Sequence, residues 1–190
     1  MSATVLYMSM SLDGFIAGPN ESPDNGLGDG GERLHEWFFK GPEANAQIYE
    51  EFMATGAIVA GRGTFEPAGG WGGDHHDGAP IFVLSRHAPP AEFAQMPLVT
   101  YLDDLSAAVT RAKEAAGERN VLVHGAGIAQ RALAAGLLDE LELHVIPVLL
   151  GQGRRLFDNL APEQIELERT RILAADDGVT HMHYRVTGRS

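Results

Sequence analysis

The chain has 190 residues and no cysteine, and its 14 Lys and Arg face 26 Asp and Glu, for a formal net charge of −12. Thiol catalysis, thiolate metal sites and disulfide-pinned scaffolds are excluded, and a chain of this length can bury a full core without staples. So acidic a surface repels phosphate backbones, which argues against a nucleic-acid partner.

A hydrophobic content of 44% beside 21% charged residues is that of a packed protein, not a disordered one. No stretch approaches the roughly 20 apolar residues of a membrane span. The opening residues lack the basic region of a secretion signal, so a cytoplasmic protein with no membrane partner is expected.

Thr4 to Met10 is apolar on both faces, the pattern of a strand buried at the centre of a sheet. Asp13-Gly14 bends the chain, Phe15 to Ala17 makes a short strand, and Gly18-Pro19 stops it. Residues 19–31 (PNESPDNGLGDGG) hold little that packs, which marks a functional or mobile loop. Glu32 to Lys40 reads as a short helix with Leu34, Trp37 and Phe38 on one face. A second helix follows the Gly41-Pro42 break, from about Glu43 to Thr55, with Ile48, Phe52 and Met53 inward.

Ala57 to Ala60 is a buried strand running into Gly61-Arg62-Gly63-Thr64. Residues 66–79 form a second glycine-rich loop around Trp71. Pro80 to Leu84 is a strand closing on Ser85-Arg86-His87, and Leu98 to Tyr101 is a shorter one. Asp103-Asp104 opens a helix that reaches Ala116. Asn120 to Val123 is another buried strand, followed by His124-Gly125-Ala126-Gly127 and a helix from Ile128 to Ala135 that Gly136 caps.

Glu140 to Ile146 alternates strongly, and residues 165–174 and 179–186 read as an antiparallel pair turning at Asp176-Asp177-Gly178. Strands alternating with helices and closed by a hairpin predict one α/β domain over residues 1–190. Its expected form is three layers, α/β/α, around a mixed, mostly parallel sheet.

Three strand-to-helix junctions place glycine or a small polar residue directly after the strand: Gly61-Arg62-Gly63-Thr64, Ser85-Arg86 and Gly125-Ala126-Gly127. Ligands of open α/β sheets sit beyond the carboxyl ends of the strands, where glycine lets the backbone approach a pyrophosphate. Helix N–H groups then face the anion. In so acidic a chain, Arg62 and Arg86 are placed for bidentate phosphate contacts, or pair with local carboxylates. A 2′-phosphate on an adenosine ribose would suit Arg86 beside Ser85, which favours NADP over NAD. The first βαβ unit lacks the standard Rossmann fingerprint.

Other candidates are read more plainly. His75-His76 lies in a loop expected to be solvated, and His181 and His183 on an exposed face of an edge hairpin, so no metal site is expected. His124 reads as a packed strand-end residue. No G-x-S-x-G elbow is present, which argues against hydrolase chemistry.

The segments SMSLDGFIAGPN, AIVAGRGTFE, FVLSR and VHGAGIAQRALAAGLLDELELHVIPVLLGQGRRLF resemble the dihydrofolate-reductase-like superfamily. More narrowly, they resemble bacterial stand-alone proteins similar to the reductase domain of riboflavin biosynthesis. The resemblance covers nearly the whole chain and is most specific in G-A-G, G-L-L-D-E-L and P-V-L-L-G-Q-G.

It implies NADPH as cofactor, a small-molecule substrate and a homodimer. By position, it implies Gly61, Arg62 and Thr64 at the cofactor phosphates and Ser85 with Arg86 at the 2′-phosphate. Gly125, Ala126, Gly127 and Ile128 would cover the pyrophosphate and nicotinamide side, and the backbone at Ala17 would border the nicotinamide. Residues 19–30 would form a mobile loop over the site.

Dihydrofolate reductases hold the pterin with a carboxylate about one helical turn before an aromatic pair. Aligned on Trp37-Phe38, that position is Leu34, with Glu32, His35 and Glu36 displaced. Asp13, at the end of the first strand, is the candidate catalytic acid or else a turn residue. Trp71 and Trp37 are candidate aromatic walls for a flat acceptor, Trp37 equally a core residue.

The expected activity is hydride transfer from NADPH to a small acceptor, as in the phosphoribosylaminouracil reductase of riboflavin biosynthesis. The alternatives are a non-catalytic nucleotide-binding protein and a pterin or dihydrofolate reductase.

Overall fold

The computed structural model describes residues 2–22, 24–39, 45–160 and 163–189. Strands alternate with helices because apolar runs of four or five residues, bounded by glycine, recur between amphipathic segments. In chain order they are β1 (Thr4–Ser11), β2 (Phe15–Ala17), α1 (Glu36–Phe39), α2 (Ala46–Met53), β3 (Ala57–Gly61), α3 (Arg62–Phe65) and β4 (Ile81–Leu84). There follow β5 (Val99–Leu102), α4 (Leu105–Ala116), β6 (Val121–His124), α5 (Ala126–Ala135), β7 (Glu140–Ile146), β8 (Arg154–Arg155), β9 (Ile165–Ala174) and β10 (Thr180–Arg189). A 3₁₀ turn at Gly31–Leu34 follows the first glycine-rich loop, and in the second the backbone at Gly70, Trp71 and Gly72 turns left-handed, with φ of 61°, 50° and 65°.

Among the described residues, eight strands form the main sheet in the order β5-β4-β3-β6-β1-β7-β10-β9. The first six run parallel, and β10 and β9 close the sheet antiparallel. β2 and β8 pair in a small second sheet.

Side-chain alternation along the strands splits the core in two. Leu6, Val59, Phe82, Val123 and Leu141 face α4 and α5, where Ala108, Ala112, Ala129 and Ala132 let the helices lie close to the sheet. Ile58, Ile81, Val83 and Leu122 face the other way, onto Leu34, Trp37, Ile48, Phe52 and Phe65. Each fully buried Leu or Ile contributes about 2 kcal/mol of transfer free energy. This is the predicted α/β/α sandwich. Among the described residues, no helix is long and apolar enough to cross a membrane.

Four local expectations need correction. The segment after Glu32 folds as a 3₁₀ turn and a four-residue helix, because the His35 N–H bonds back three residues to Glu32. The second helix begins at Ala46; the expected break at Gly41-Pro42 and start at Glu43 lie outside the described residues. The helix after β6 starts two residues early, at Ala126.

The fourth concerns the final hairpin. Its second strand, β10, sits inside the sheet between β7 and β9, so its histidines are not on an edge. The edge is β9, whose Glu166, Glu168 and Arg169 are the charged residues that discourage strand-to-strand association.

Candidate functional site

Parallel register sets the three strand-end junctions side by side. Gly61 pairs with Leu84 across β3 and β4, and Ala60 pairs with His124 across β3 and β6. Gly61, Ser85 and Gly125 therefore leave the sheet at nearly one level on neighbouring strands, which are spaced about 4.8 Å apart. The row forms a crevice at the carboxyl edge.

Gly125 is fixed by two constraints at once. Its φ of +100° is one that L side chains rarely adopt, and a Cβ there would lie 2.2 Å from Thr64 Oγ1. The residue thus seats the β6–α5 junction directly against the β3–α3 junction. α5 is ten residues long, and its first-turn N–H groups have no intrahelical partner. Open space lies over the Cα atoms of Gly61 and Gly127.

The cations around this row are loosely held. Arg62 is half exposed, with Nε 3.8 Å from Glu66 Oε2, and Arg86 is exposed. The Ser85 hydroxyl closes its own turn, accepting from the His87 N–H at 3.0 Å and donating to the His87 carbonyl at 2.9 Å.

Sequence reading missed Arg154. It pairs with Ala17 across β8 and β2, bonds Glu21 at 2.8 Å, and brings Nη1 to 3.8 Å from the Cβ position of Gly63. The Arg154-Arg155 doublet directly after Gly153 was the available signal.

Ala17 is buried in β2, and its carbonyl would lie 2.1 Å from a Cβ on Gly153. Only a glycine lets the 150–153 segment cross so close. The loop after Ala17 is braced internally: the Gly18 N–H bonds Leu27 O at 2.8 Å, and Asn20 and Asn25 both donate to the Asp29 carboxylate.

Asp13 accepts three hydrogen bonds, from the Ser11 hydroxyl, the Gly151 N–H at 2.7 Å and the Leu150 N–H at 3.2 Å. The Ser11 bond first, and then the two backbone N–H groups, hold its carboxyl below the usual range. The side chain thereby ties the end of β1 to the segment after β7.

The two tryptophans separate. Trp37 is 3% exposed; its indole N–H donates to Ser9 Oγ at 2.9 Å, and its ring packs on His144 and His181. It has almost no open face. Trp71 is partly exposed and packs edge-on against His75 at 4.5 Å, with His124 at 5.8 Å. Because His124 ends β6 next to Gly125, Trp71 borders the crevice.

The histidines overturn two sequence expectations. His75 and His76 are not solvated: their Nδ1 atoms lie 2.7 Å apart, and His76 Nε2 bonds Thr55 Oγ1 at 3.0 Å. Burial first, and then His76, push the His75 pKa down to about 4. His181 is not on an exposed face: it and His144 are 1% and 0% exposed and meet across β10 and β7, Nδ1 to Nδ1, at 2.8 Å.

His181 Nε2 lies 2.9 Å from Asn45 Oδ1. With that oxygen accepting, His181 is protonated at Nε2 and His144 donates from Nδ1. The His144 Nε2 lone pair then has no partner among the described residues. Burial holds His124 and His144 well below the usual imidazole range. A layer of neutral rings, including Tyr7 at 4.3 Å from His144 and 6.3 Å from His124, thus fills the space beneath the crevice. Among the described residues, no group of three or more acidic or imidazole side chains is placed to hold a metal ion.

A mostly parallel sheet between two helical layers, ending in an inserted antiparallel hairpin, defines an α/β protein of the dihydrofolate-reductase-like class. The sequence model of the RibD C-terminal domain matches residues 3–181, and the chain belongs to that family.

Solved structures agree on the fold. One, described as a riboflavin biosynthesis protein from Shewanella sp. PV-4, is 22% identical, with 98% of this chain and 99% of that chain covered and a TM-score of 0.75. A pyrimidine reductase-like protein from Corynebacterium diphtheriae is 14% identical over 98% of this chain and 92% of that chain, at 0.69. Acinetobacter baumannii RibD is 18% identical at 0.64; the match covers 98% of this chain and 58% of that longer one. No curated protein matches the sequence.

Proposed function

We propose that the chain is an NADPH-dependent reductase that passes hydride to a small planar or carbonyl-bearing acceptor. The observation that carries this reading is the row of three junctions, Gly61-Arg62, Ser85-Arg86 and Gly125 to Ile128, set level on adjacent strands by parallel register. Family membership supports it.

The residues present fit a dinucleotide phosphate. Open space over Gly61 and Gly127 admits a pyrophosphate, and the first turn of α5, Ala126 to Ile128, offers N–H donors to it. Arg62, with Thr64 behind it, and Arg86 beside Ser85 supply the positive charge, Arg86 toward the 2′-phosphate. The Ala17 backbone and Trp71 border the acceptor side. When bound, the nicotinamide supplies the hydride, while the protein orients the partners and tunes the electrostatics.

Asp13 enters this proposal as a positioning residue. A carboxylate held ionised by three donors does not deliver a proton near neutrality, but it does fix the segment after β7 against the β1–β2 turn. Leu34, at the position of the pterin-holding carboxylate, is fully buried, which argues against dihydrofolate as the acceptor. A homodimer remains part of the reading on the family resemblance.

The test is NADPH oxidation, followed by nicotinamide absorbance, across pyrimidine, pterin and quinone acceptors. Turnover with at least one acceptor is expected. NADPH binding without turnover of any would favour the non-catalytic nucleotide-binding alternative.

A further inference from the structure

Besides Arg62 and Arg86, a third cation reaches the crevice. Arg154 stands on β8, whose backbone is pinned to the end of the first strand pair. It pairs with Ala17 across β2, and the Leu156 N–H donates to Gly14 O at 3.0 Å. Gly153, at a φ of +129°, lies too close to Ala17 O for any side chain.

From that fixed base the guanidinium extends two ways. Nη2 meets Glu21 Oε2 at 2.8 Å, and Nη1 lies 3.8 Å from the Cβ position of Gly63. Outside the segment around Gly63, no other described atom comes within 4 Å of that position, so the space over Gly63 is bounded by Arg154 alone.

Glu21 belongs to the loop between Gly18 and Gly31, which is braced chiefly against itself. The Gly18 N–H bonds Leu27 O, the Asp29 N–H bonds Pro19 O, and Asn20 and Asn25 hold the Asp29 carboxylate. The loop meets the rest of the chain where Gly26 backs onto the Pro67 carbonyl, and through Glu21. Among the described residues, Glu21–Arg154 is the one ion pair that residues 19–31 make.

A carboxylate on a guanidinium takes the place that a phosphate oxygen would also take. A phosphate over Gly63 would accept from Nη1 while facing the Glu21 carboxylate across one planar fork, like charge against like. One of the two anions must yield, and Glu21 is the one carried on a separately braced segment.

We propose that Glu21 is a latch. Without a phosphate ligand it holds Arg154 and so ties down the loop; a phosphate group entering over Gly63 takes Arg154 from it and releases the loop. Arg154 is thereby a further anion-holding residue of the crevice, and phosphate binding and loop release are reciprocally coupled. The proposal rests on the crevice being a dinucleotide site and adds the coupling to it.

The probe is inorganic pyrophosphate, titrated calorimetrically into the full chain. Glu21→Gln should tighten it about 5-fold, the upper range for a partly exposed ion pair. Arg154→Gln should weaken it about 10-fold, as for loss of a charge-assisted hydrogen bond. With Arg154 already replaced, Glu21→Gln should have no further effect. In the unmodified chain, pyrophosphate should lower the backbone order parameters of Asn20, Glu21 and Ser22 toward those of Glu21→Gln.

Equal or weaker binding by Glu21→Gln would overturn the latch. So would a tightening that persists without Arg154, which would make Glu21 a diffuse repulsive charge. Unchanged order parameters, read without any substitution, would overturn it as well, as would the absence of saturable pyrophosphate binding. A chain that binds NADPH but responds to neither substitution keeps the dinucleotide site and loses the latch; a chain that binds no NADPH loses the site itself.

Discussion

The crevice and the ring layer beneath it share β6 yet are built in opposite ways. The crevice keeps its cations exposed and its backbone bare: Arg86, Arg62, and glycines with open space above them. The layer below holds His75, His124, His144 and His181 packed among Tyr7, Trp37 and Trp71 and pushed toward neutrality. A site for a polyanion needs fixed positive charge at its mouth, and burying further charge under it would be costly. Neutral imidazoles give the floor polar groups without that cost.

The largest effect that can break this contrast is acid. His35, His75, His124, His144 and His181 all titrate below the ordinary histidine value of 6.5 in the folded chain, His75 at about 4, chiefly through burial. The unfolded chain therefore takes up protons first as pH falls. The stability that these five rings confer is complete above 6.5 and is lost as pH falls below it, the His75 share by about 4. His183 has the opposite sign: hydrogen bonding to Glu140 raises it, so its contribution is complete at low pH and lost as pH rises through its folded value. One such group does not cancel five. Thermal melts across this range should show a falling midpoint on acidification; a flat or rising one would mean the rings are not sealed.

Next comes Gly125→Ala. It forces an L residue to a φ of +100° and sets a Cβ against Thr64 Oγ1. A cost of about 2 kcal/mol in denaturant unfolding is expected, with loss of NADPH binding if the two junctions form one site.

Arg86→Ala should leave folding intact and weaken NADPH by about 2 kcal/mol, the scale of a charge-assisted hydrogen bond. NADH binding should not change in calorimetric titrations. Equal loss for both cofactors would remove Arg86 from the 2′-phosphate.

The smallest effect is Asp13→Asn. Amide exchange at Leu150 and Gly151 should accelerate while NADPH affinity holds. Unchanged exchange would return Asp13 to a plain turn residue.

These two regions also differ in how far the sequence reveals them. The crevice is written locally: a buried run such as Ala57 to Ala60 followed within one residue by Gly61, or Val121 to Val123 followed by His124-Gly125, announces its own turn. That β6 lies beside β3 rather than beside β5 is not written locally and is seen only in the sheet order. The ring layer depends on pairs far apart in the chain, His144 with His181 and Trp37 with Ser9.

His181 was misread because alternation along a hairpin does not say which of its strands joins the sheet. The charged face of β9, from Glu166 to Arg169, was the available clue that the first strand is the outer one. Asp13 was legible as a turn residue, but its bonds to Leu150 and Gly151 cross 137 and 138 positions, beyond any local pattern.

The central claim is that three adjacent strand ends hold one dinucleotide. It is tested most directly by titrating NADPH into isotopically labelled protein and following backbone amide resonances. The account predicts saturable shifts clustered at Gly61 to Thr64, Ser85-Arg86 and Gly125 to Ile128. Shifts confined to one junction, or no saturable change at all, would contradict it.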